Sequence, residues 1–117
     1  MIGFDKSPNL TIEGKRRAVL NEPLAVSFGD TPLVTIPAGY ATDGMSRRWW
    51  MPSKWGRWHP KYLPASILHD YLLTDTDWPK WQIDWLFMGA LRATGVSALE
   101  AGLFWLAVRT RRRGANT

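Results

Sequence analysis

The chain contains no cysteine, and this absence excludes several classes of protein. A disulfide-stapled scaffold, a cysteine-ligated zinc site and a thiol nucleophile all require cysteine side chains. Histidine is also scarce, since only two of the 117 residues are histidine. Any imidazole chemistry must therefore involve His59 or His69. The lack of cysteine suits a reducing compartment.

Long apolar segments are missing as well. The longest run, AGLFWLAV at residues 101–108, is far shorter than the ~20 residues that a membrane-spanning helix needs. Residues 1–20 include charged side chains and lack the apolar core of a signal peptide. We therefore expect neither a transmembrane segment nor a signal peptide.

Acidic residues are fewer than basic ones, 10 against 15, and the formal net charge is +5. This excess is typical of proteins that meet an anionic partner, such as nucleic acid, a lipid surface or an acidic protein. The chain is 45% hydrophobic and 21% charged, which indicates a globular rather than a disordered protein. Its length predicts a single domain over residues 1–117.

The pattern of the sequence changes twice along the chain. Residues 1–9 are predicted to be irregular, and short runs of aliphatic and β-branched residues over 10–45, broken by Gly, Asn and Pro, predict three or four short strands. A loop rich in Trp and Arg follows over 46–62, and residues 63–113 are helical in pattern. The predicted fold class is α+β, with a small N-terminal antiparallel sheet packed against two or three C-terminal helices.

Three helices are predicted in the C-terminal part. The first runs from about 63 to 73 and the second from about 79 to 93, where it stops near a glycine. An Asp or Thr of the turn TDTDWP, 74–79, is expected to cap the second helix. The third begins near Ser97, which forms a capping-box pattern with Glu100.

The segment RRWWMPSKWGRW, 47–58, combines indole rings and guanidinium groups. Such residues can stack on single-stranded bases, sit at a lipid headgroup layer, or supply core tryptophans beside solvated arginines. We favour a surface that binds a membrane or a protein partner, because no nucleic-acid motif accompanies the segment. Its residues are Arg47, Arg48, Trp49, Trp50, Trp55, Arg57 and Trp58.

The segment PASILHDYLL, 64–73, places His69 and Asp70 side by side among apolar residues. Neighbours on a helix point about 100° apart, so Asp70 cannot orient the His69 ring. Asp84, the only acid in WQIDWLFMGAL, would lie level with His69 if the two helices pack antiparallel. A carboxylate on one imidazole nitrogen would leave the other nitrogen to take a proton from water. The alternative is that all three side chains are structural, with hydrogen-bond partners in the fold.

The dipeptide Asp43-Gly44 in ATDGMS is first of all a turn signal. It is also a way to present a carboxylate and a backbone carbonyl to a hard cation such as Ca²⁺. Asp43 and Asp70 together would supply two carboxylates. Carbonyl groups and water would have to complete the coordination shell.

The segments TDGMS, PASILHDYLL and QIDWLF, in that order, resemble a family of small phage- and prophage-associated proteins of uncharacterised function. The resemblance spans roughly residues 33–108. A weaker resemblance is to the small bacterial secreted phospholipases A2, which share an Asp-Gly calcium segment, a helix with a His-Asp pair and a second helix with an Asp. Those enzymes are stapled by disulfides, and this chain has no cysteine.

The phospholipase resemblance implies a role for each candidate residue. His69 would be the general base and Asp84 its orienting partner, while Asp43, Gly44 and Asp70 would hold Ca²⁺. The ion would polarise the ester carbonyl.

Two functions follow from these expectations. The first is a phage-derived, calcium-dependent ester hydrolase that acts on phospholipid. The second is a non-catalytic virion or tail-assembly protein that uses the Trp/Arg loop to bind protein or membrane. Either protein would be located in the virion or in the host cytoplasm, and a membrane-binding one would be a peripheral membrane protein. A nucleic-acid-binding module is the third and least favoured function.

Overall fold

The computed structural model describes residues 2–14, 17–42 and 60–110. Its elements follow the predicted order, with the strands first and the helices after them. The strands are β1 (Ile2–Phe4), β2 (Leu10–Gly14), β3 (Arg17–Leu20), β4 (Leu24–Phe28), β5 (Thr31–Ile36) and β6 (Ala41–Thr42), and the helices are α1 (Leu63–Asp75), α2 (Lys80–Ala93) and α3 (Ala98–Arg109).

The strands form two antiparallel sheets of three strands each, in the orders β1-β4-β5 and β2-β3-β6. Alternation along the central strand β4 buries Leu24 and Val26, which face the core. The expectation of an irregular start was wrong for residues 2–4, because Ile2 pairs with Phe28 and Phe4 with Val26 at the edge of the first sheet. The number of strands over 10–45 was also underestimated. The predicted α+β class is confirmed.

The α1 helix is buried on nearly all sides. Pro64 lies in its first turn, and the side chains from Leu63 through His69 are buried together with Leu72. A helix with so broad an apolar surface belongs in the middle of a core, between other elements. It contacts β6 on one side and α2 on another.

The ends of α2 and α3 show which sequence signals the fold uses. The predicted side-chain cap of α2 is wrong: the N-cap residue is Pro79, and no side chain caps the helix. At the other end, Gly95 has φ 93°, and the Val96 N–H donates to the Leu91 carbonyl at 3.0 Å. The Ser97 hydroxyl accepts from the Glu100 N–H at 3.2 Å, so the predicted start of α3 is confirmed.

A buried tyrosine ties the start of α1 to α3. The Tyr62 hydroxyl donates to a Glu100 carboxylate oxygen at 2.9 Å. Burial of the phenol, together with this hydrogen bond and the nearby negative charge, raises the pKa of Tyr62 to about 12. Glu100 is therefore held by Tyr62 while its own backbone N–H bonds the Ser97 cap.

None of the helices in the described ranges combines the length and apolar character needed to span a membrane.

Candidate active site

The α1 and α2 helices pack side by side across a short turn, and this packing brings His69 and Asp84 together. The imidazole Nε2 lies 2.7 Å from Asp84 Oδ1. Both residues are buried, with 5% of His69 and 0% of Asp84 exposed. The Phe87 ring, one helical turn after Asp84, lies 4.9 Å from the imidazole between ring centroids. The contact expected from antiparallel packing is present.

The second carboxylate oxygen of Asp84 has two cationic partners. Lys80 Nζ donates to Asp84 Oδ2 at 2.6 Å and Arg109 Nη1 donates to it at 3.4 Å. Lys80 Nζ also donates to the carbonyl of Val108, near the end of α3, at 2.6 Å. Asp84 thus links all three helices.

These partners decide the charge of Asp84. Burial on its own would raise the pKa of the Asp84 carboxyl, because it penalises the ionised form. The hydrogen bonds from His69 and Lys80, with their charges, outweigh burial and hold the pKa of Asp84 below its ordinary value. Asp84 is therefore a buried carboxylate near neutral pH.

The charge of Asp84 fixes the tautomer of a neutral His69 ring. An ionised carboxylate only accepts hydrogen bonds, so the proton between the two groups belongs to Nε2. Nδ1 is then the basic nitrogen, and it has no hydrogen-bond partner among the residues that the structure describes. An imidazole held this way can take a proton from a water molecule at Nδ1.

Asp70 lies on α1 beside the end of β6. Its Oδ2 accepts a hydrogen bond from the Thr42 hydroxyl at 3.0 Å. Tyr40, just before the strand, packs edge-on against Tyr71 with ring centroids 5.3 Å apart. These contacts fix the end of β6 against α1, and Thr42 is the residue that precedes Asp43 in the sequence.

Several predicted site residues lie outside the described residues. Asp43 and Gly44 of the predicted calcium site are among them, and their proposed role stays a prediction. Within residues 2–14, 17–42 and 60–110, no three His, Cys, Asp or Glu side chains are grouped so as to hold a metal ion. The predicted binding surface also falls outside and stays untested: Arg47, Arg48, Trp49, Trp50, Trp55, Arg57 and Trp58.

Sequence reasoning missed two residues of the site, Lys80 and Arg109. Lys80 carries a readable signal, because it precedes Asp84 by four residues on the same helix and such pairs face each other. Arg109 carries none. Its contact with Asp84 joins residues that are far apart in the chain and depends on how α3 packs on α2.

Residues 18–108 match the family described as Protein of unknown function (DUF1353). The chain belongs to the DUF1353 family. The match begins earlier in the chain than residue 33, the approximate start of the resemblance noted in the sequence. It includes four residues of the site but not Arg109: His69, Asp70, Lys80 and Asp84. No curated protein and no solved structure matches the chain.

Proposed function

We propose that the protein is a calcium-dependent ester hydrolase of phage origin that acts on phospholipids, with His69 as its general base. The observation that supports the proposal is the 2.7 Å contact between His69 Nε2 and the buried Asp84 carboxylate. The contact sets the tautomer that leaves Nδ1 basic. It also connects two residues that the phospholipase resemblance pairs for this purpose.

The chemistry that His69 would perform is a water-mediated acyl transfer. Nδ1 removes a proton from water as the water oxygen forms a bond to the ester carbonyl carbon. The tetrahedral intermediate then breaks the bond from that carbon to the alcohol oxygen, and the departing oxygen takes the proton from Nδ1. A carboxylic acid and an alcohol are released. Asp84 stabilises the imidazolium that exists between the two proton transfers.

The calcium part of the proposal rests on Asp70, Asp43 and the Gly44 carbonyl. Asp70 offers the chemistry of such a site, a half-buried carboxylate that a hydroxyl already orients at the end of β6. Hard cations take oxygen ligands of this kind. When bound, Ca²⁺ would polarise the ester carbonyl and stabilise the negative charge that develops on its oxygen.

A second candidate is a non-catalytic virion or tail-assembly protein in which the same residues are structural. The observation that favours it is the number of contacts that Asp84 makes. Both carboxylate oxygens of Asp84 accept hydrogen bonds, and the donors, His69, Lys80 and Arg109, come from three different helices. Buried charges with this many partners also occur where a polar network only fixes the packing of a core.

The two candidates predict different results with mixed phospholipid vesicles. Fatty-acid release would be measured for the wild type, His69→Ala and His59→Ala, each with Ca²⁺ and with chelator. We expect activity in the wild type with Ca²⁺, a loss of about 100-fold or more in His69→Ala, and little change in His59→Ala. His59 is the only other histidine of the chain, so its variant controls for the loss of an imidazole.

Calcium binding has its own readout, which does not depend on turnover. Ca²⁺ should raise the melting temperature of the wild type, because a ligand that binds only the folded state stabilises it. Asp70→Asn, which keeps an oxygen that can accept from Thr42, should abolish the increase. Absence of activity and of a melting-temperature shift in the wild type would overturn the hydrolase proposal and favour the structural candidate.

A further inference from the structure

The outer surface of α2 and α3 exposes large apolar side chains. Trp81 and Trp85, four residues apart on α2, are 61% and 59% exposed. Leu99, Leu103 and Leu106 on α3 are exposed at spacings of four and three, which places them on one side of that helix. We call these five residues the Trp–Leu face. Exposed apolar groups that cluster in this way mark an interaction site more often than isolated ones do.

The two halves of the Trp–Leu face belong to adjacent, antiparallel helices. At one end, Lys80 Nζ at the start of α2 donates to the Val108 carbonyl near the end of α3. Toward the other end, a groove of about 260 Å³ lies between the helices and is lined by Trp85 and Met88 of α2 and by Ala98 and Ala101 of α3. Trp85 is thus part of the groove lining, whereas the exposed leucines lie on the solvent side of α3 outside that lining.

The charged side chains of these two helices that are classed as exposed are both cationic. Arg92 and Arg109 are exposed. The two acids of α2 and α3 are engaged elsewhere: Asp84 is fully buried in its network, and half-buried Glu100 accepts from the Tyr62 hydroxyl. Within the described residues, exposed acids also occur shortly before α2 in the sequence: Asp75 at the end of α1 and Asp77 in the turn before α2. In the sequence, three further arginines follow α3 at 111–113.

We propose that the Trp–Leu face docks on an anionic phospholipid surface. Indole rings favour the headgroup layer of a bilayer, and the leucines can enter the boundary below it. Arg92 complements anionic lipid headgroups, and so does the exposed part of Arg109, which keeps 41% of its side chain accessible while it contacts Asp84. A second copy of the same cationic face would instead place like charges opposite each other. The proposal does not depend on hydrolysis, and it concerns a different part of the molecule from the Trp/Arg segment at 47–58.

The test is binding to vesicles in the presence of chelator, so that calcium-dependent turnover plays no part. The wild type, the double variant Trp81→Ser/Trp85→Ser and Phe28→Ser would be sedimented with vesicles of an equimolar mixture of phosphatidylcholine and phosphatidylglycerol, and with phosphatidylcholine alone. Phe28 is an aromatic residue of β4 that is 54% exposed, and it controls for the loss of an exposed ring. Circular dichroism would confirm that each variant is folded.

We expect the wild type and Phe28→Ser to bind the anionic vesicles and to bind phosphatidylcholine much less. The double variant should bind the anionic vesicles about tenfold more weakly or worse, because two indoles no longer leave water. Wild-type binding by the double variant would overturn the proposal, as would a lack of wild-type binding to anionic vesicles. A wild-type dimer that the double variant converts to a monomer would also overturn it, because the face would then bind a second copy.

Discussion

Asp84 is the residue on which the centre of the molecule depends. Its carboxylate is completely buried, and it receives hydrogen bonds from an imidazole, an ammonium and a guanidinium group. Removing one partner of a buried ion pair costs about 3–5 kcal/mol, since the remaining charge is left without compensation. The arrangement therefore makes the folded state sensitive to the ionisation of a single side chain.

This sensitivity predicts a specific loss of stability in acid. The pKa of Asp84 lies below its ordinary value of 3.8 in the folded protein. The ionised group therefore contributes stability at pH values above 3.8, and the contribution is lost as the pH falls from 3.8 through the folded-state value. Chemical unfolding of the wild type at a series of pH values should show this loss.

Two variants separate Asp84 from the other carboxyl groups. Asp84→Asn should be less stable than the wild type at neutral pH by about 3 kcal/mol, and its stability should fall less as the pH is lowered below 3.8. Asp77→Asn is the matched control, because Asp77 is exposed and forms no ion pair with any described residue. An acid profile of Asp84→Asn that parallels the wild type would show that Asp84 does not carry this dependence.

At the scale of the elements, local signals explain the helices better than the strands. The helical pattern after residue 63, Pro64 in the first turn of α1 and the Ser97 cap were all readable from the sequence. The strand β1 was not, because three residues are too few to show alternation and its pairing partner is β4. The division into two sheets depends on pairing between distant strands, which the pattern of one sequence does not specify.

The helix ends show the same limit. Gly95 is a strong stop signal, and it adopts a left-handed conformation after α2. Asp and Thr residues in the turn 74–79 are equally good capping signals, yet Thr76 donates its hydroxyl to the Leu72 carbonyl of α1 instead. Thr76 thus hydrogen-bonds the end of α1 and does not cap the start of α2. Residue propensity alone does not predict which of the two helices such a residue will bond.

A pair of glycine variants tests the helix-end interpretation. Gly95 has φ 93°, which an alanine side chain adopts only with strain, so Gly95→Ala should destabilise the protein by about 1–2 kcal/mol. Gly102 lies inside α3, where an added methyl group would meet no atom of another element within 4 Å, so Gly102→Ala should stabilise the protein by up to about 1 kcal/mol. Urea unfolding would measure both, and equal effects of the two substitutions would contradict this interpretation.

At the scale of the whole molecule, the topology explains why the candidate site could be predicted in part. His69 and Asp84 lie on consecutive helices joined by a short turn, so helical phase and antiparallel packing suffice to pair them. Asp70 meets Thr42 only because β6 returns to α1 from a distant part of the chain. The sequence analysis grouped Asp70 with Asp43, the residue after Thr42, but it did not predict the Thr42 contact, and nothing in the sequence indicated Arg109.

The whole-molecule arrangement also separates the two proposals. The His69–Asp84 pair lies at the interface of α1 and α2, whereas the Trp–Leu face lies on the exposed sides of α2 and α3. Helix α2 contributes to both, with Asp84 on its buried side and Trp81 and Trp85 on its exposed side. The tryptophans of the Trp–Leu face can therefore be substituted without removing a side chain of the His69–Asp84 pair.

The most direct test of the central claim is the rate of fatty-acid release by Asp84→Asn, with saturating Ca²⁺ and at a temperature where the variant is folded. An asparagine can donate to Nε2 of His69, which would move the ring proton to Nδ1 and remove the base. We predict that kcat falls by about 100-fold or more while KM changes little. A kcat close to that of the wild type would contradict the claim that Asp84 orients His69 as a general base, and the network around Asp84 would then be structural.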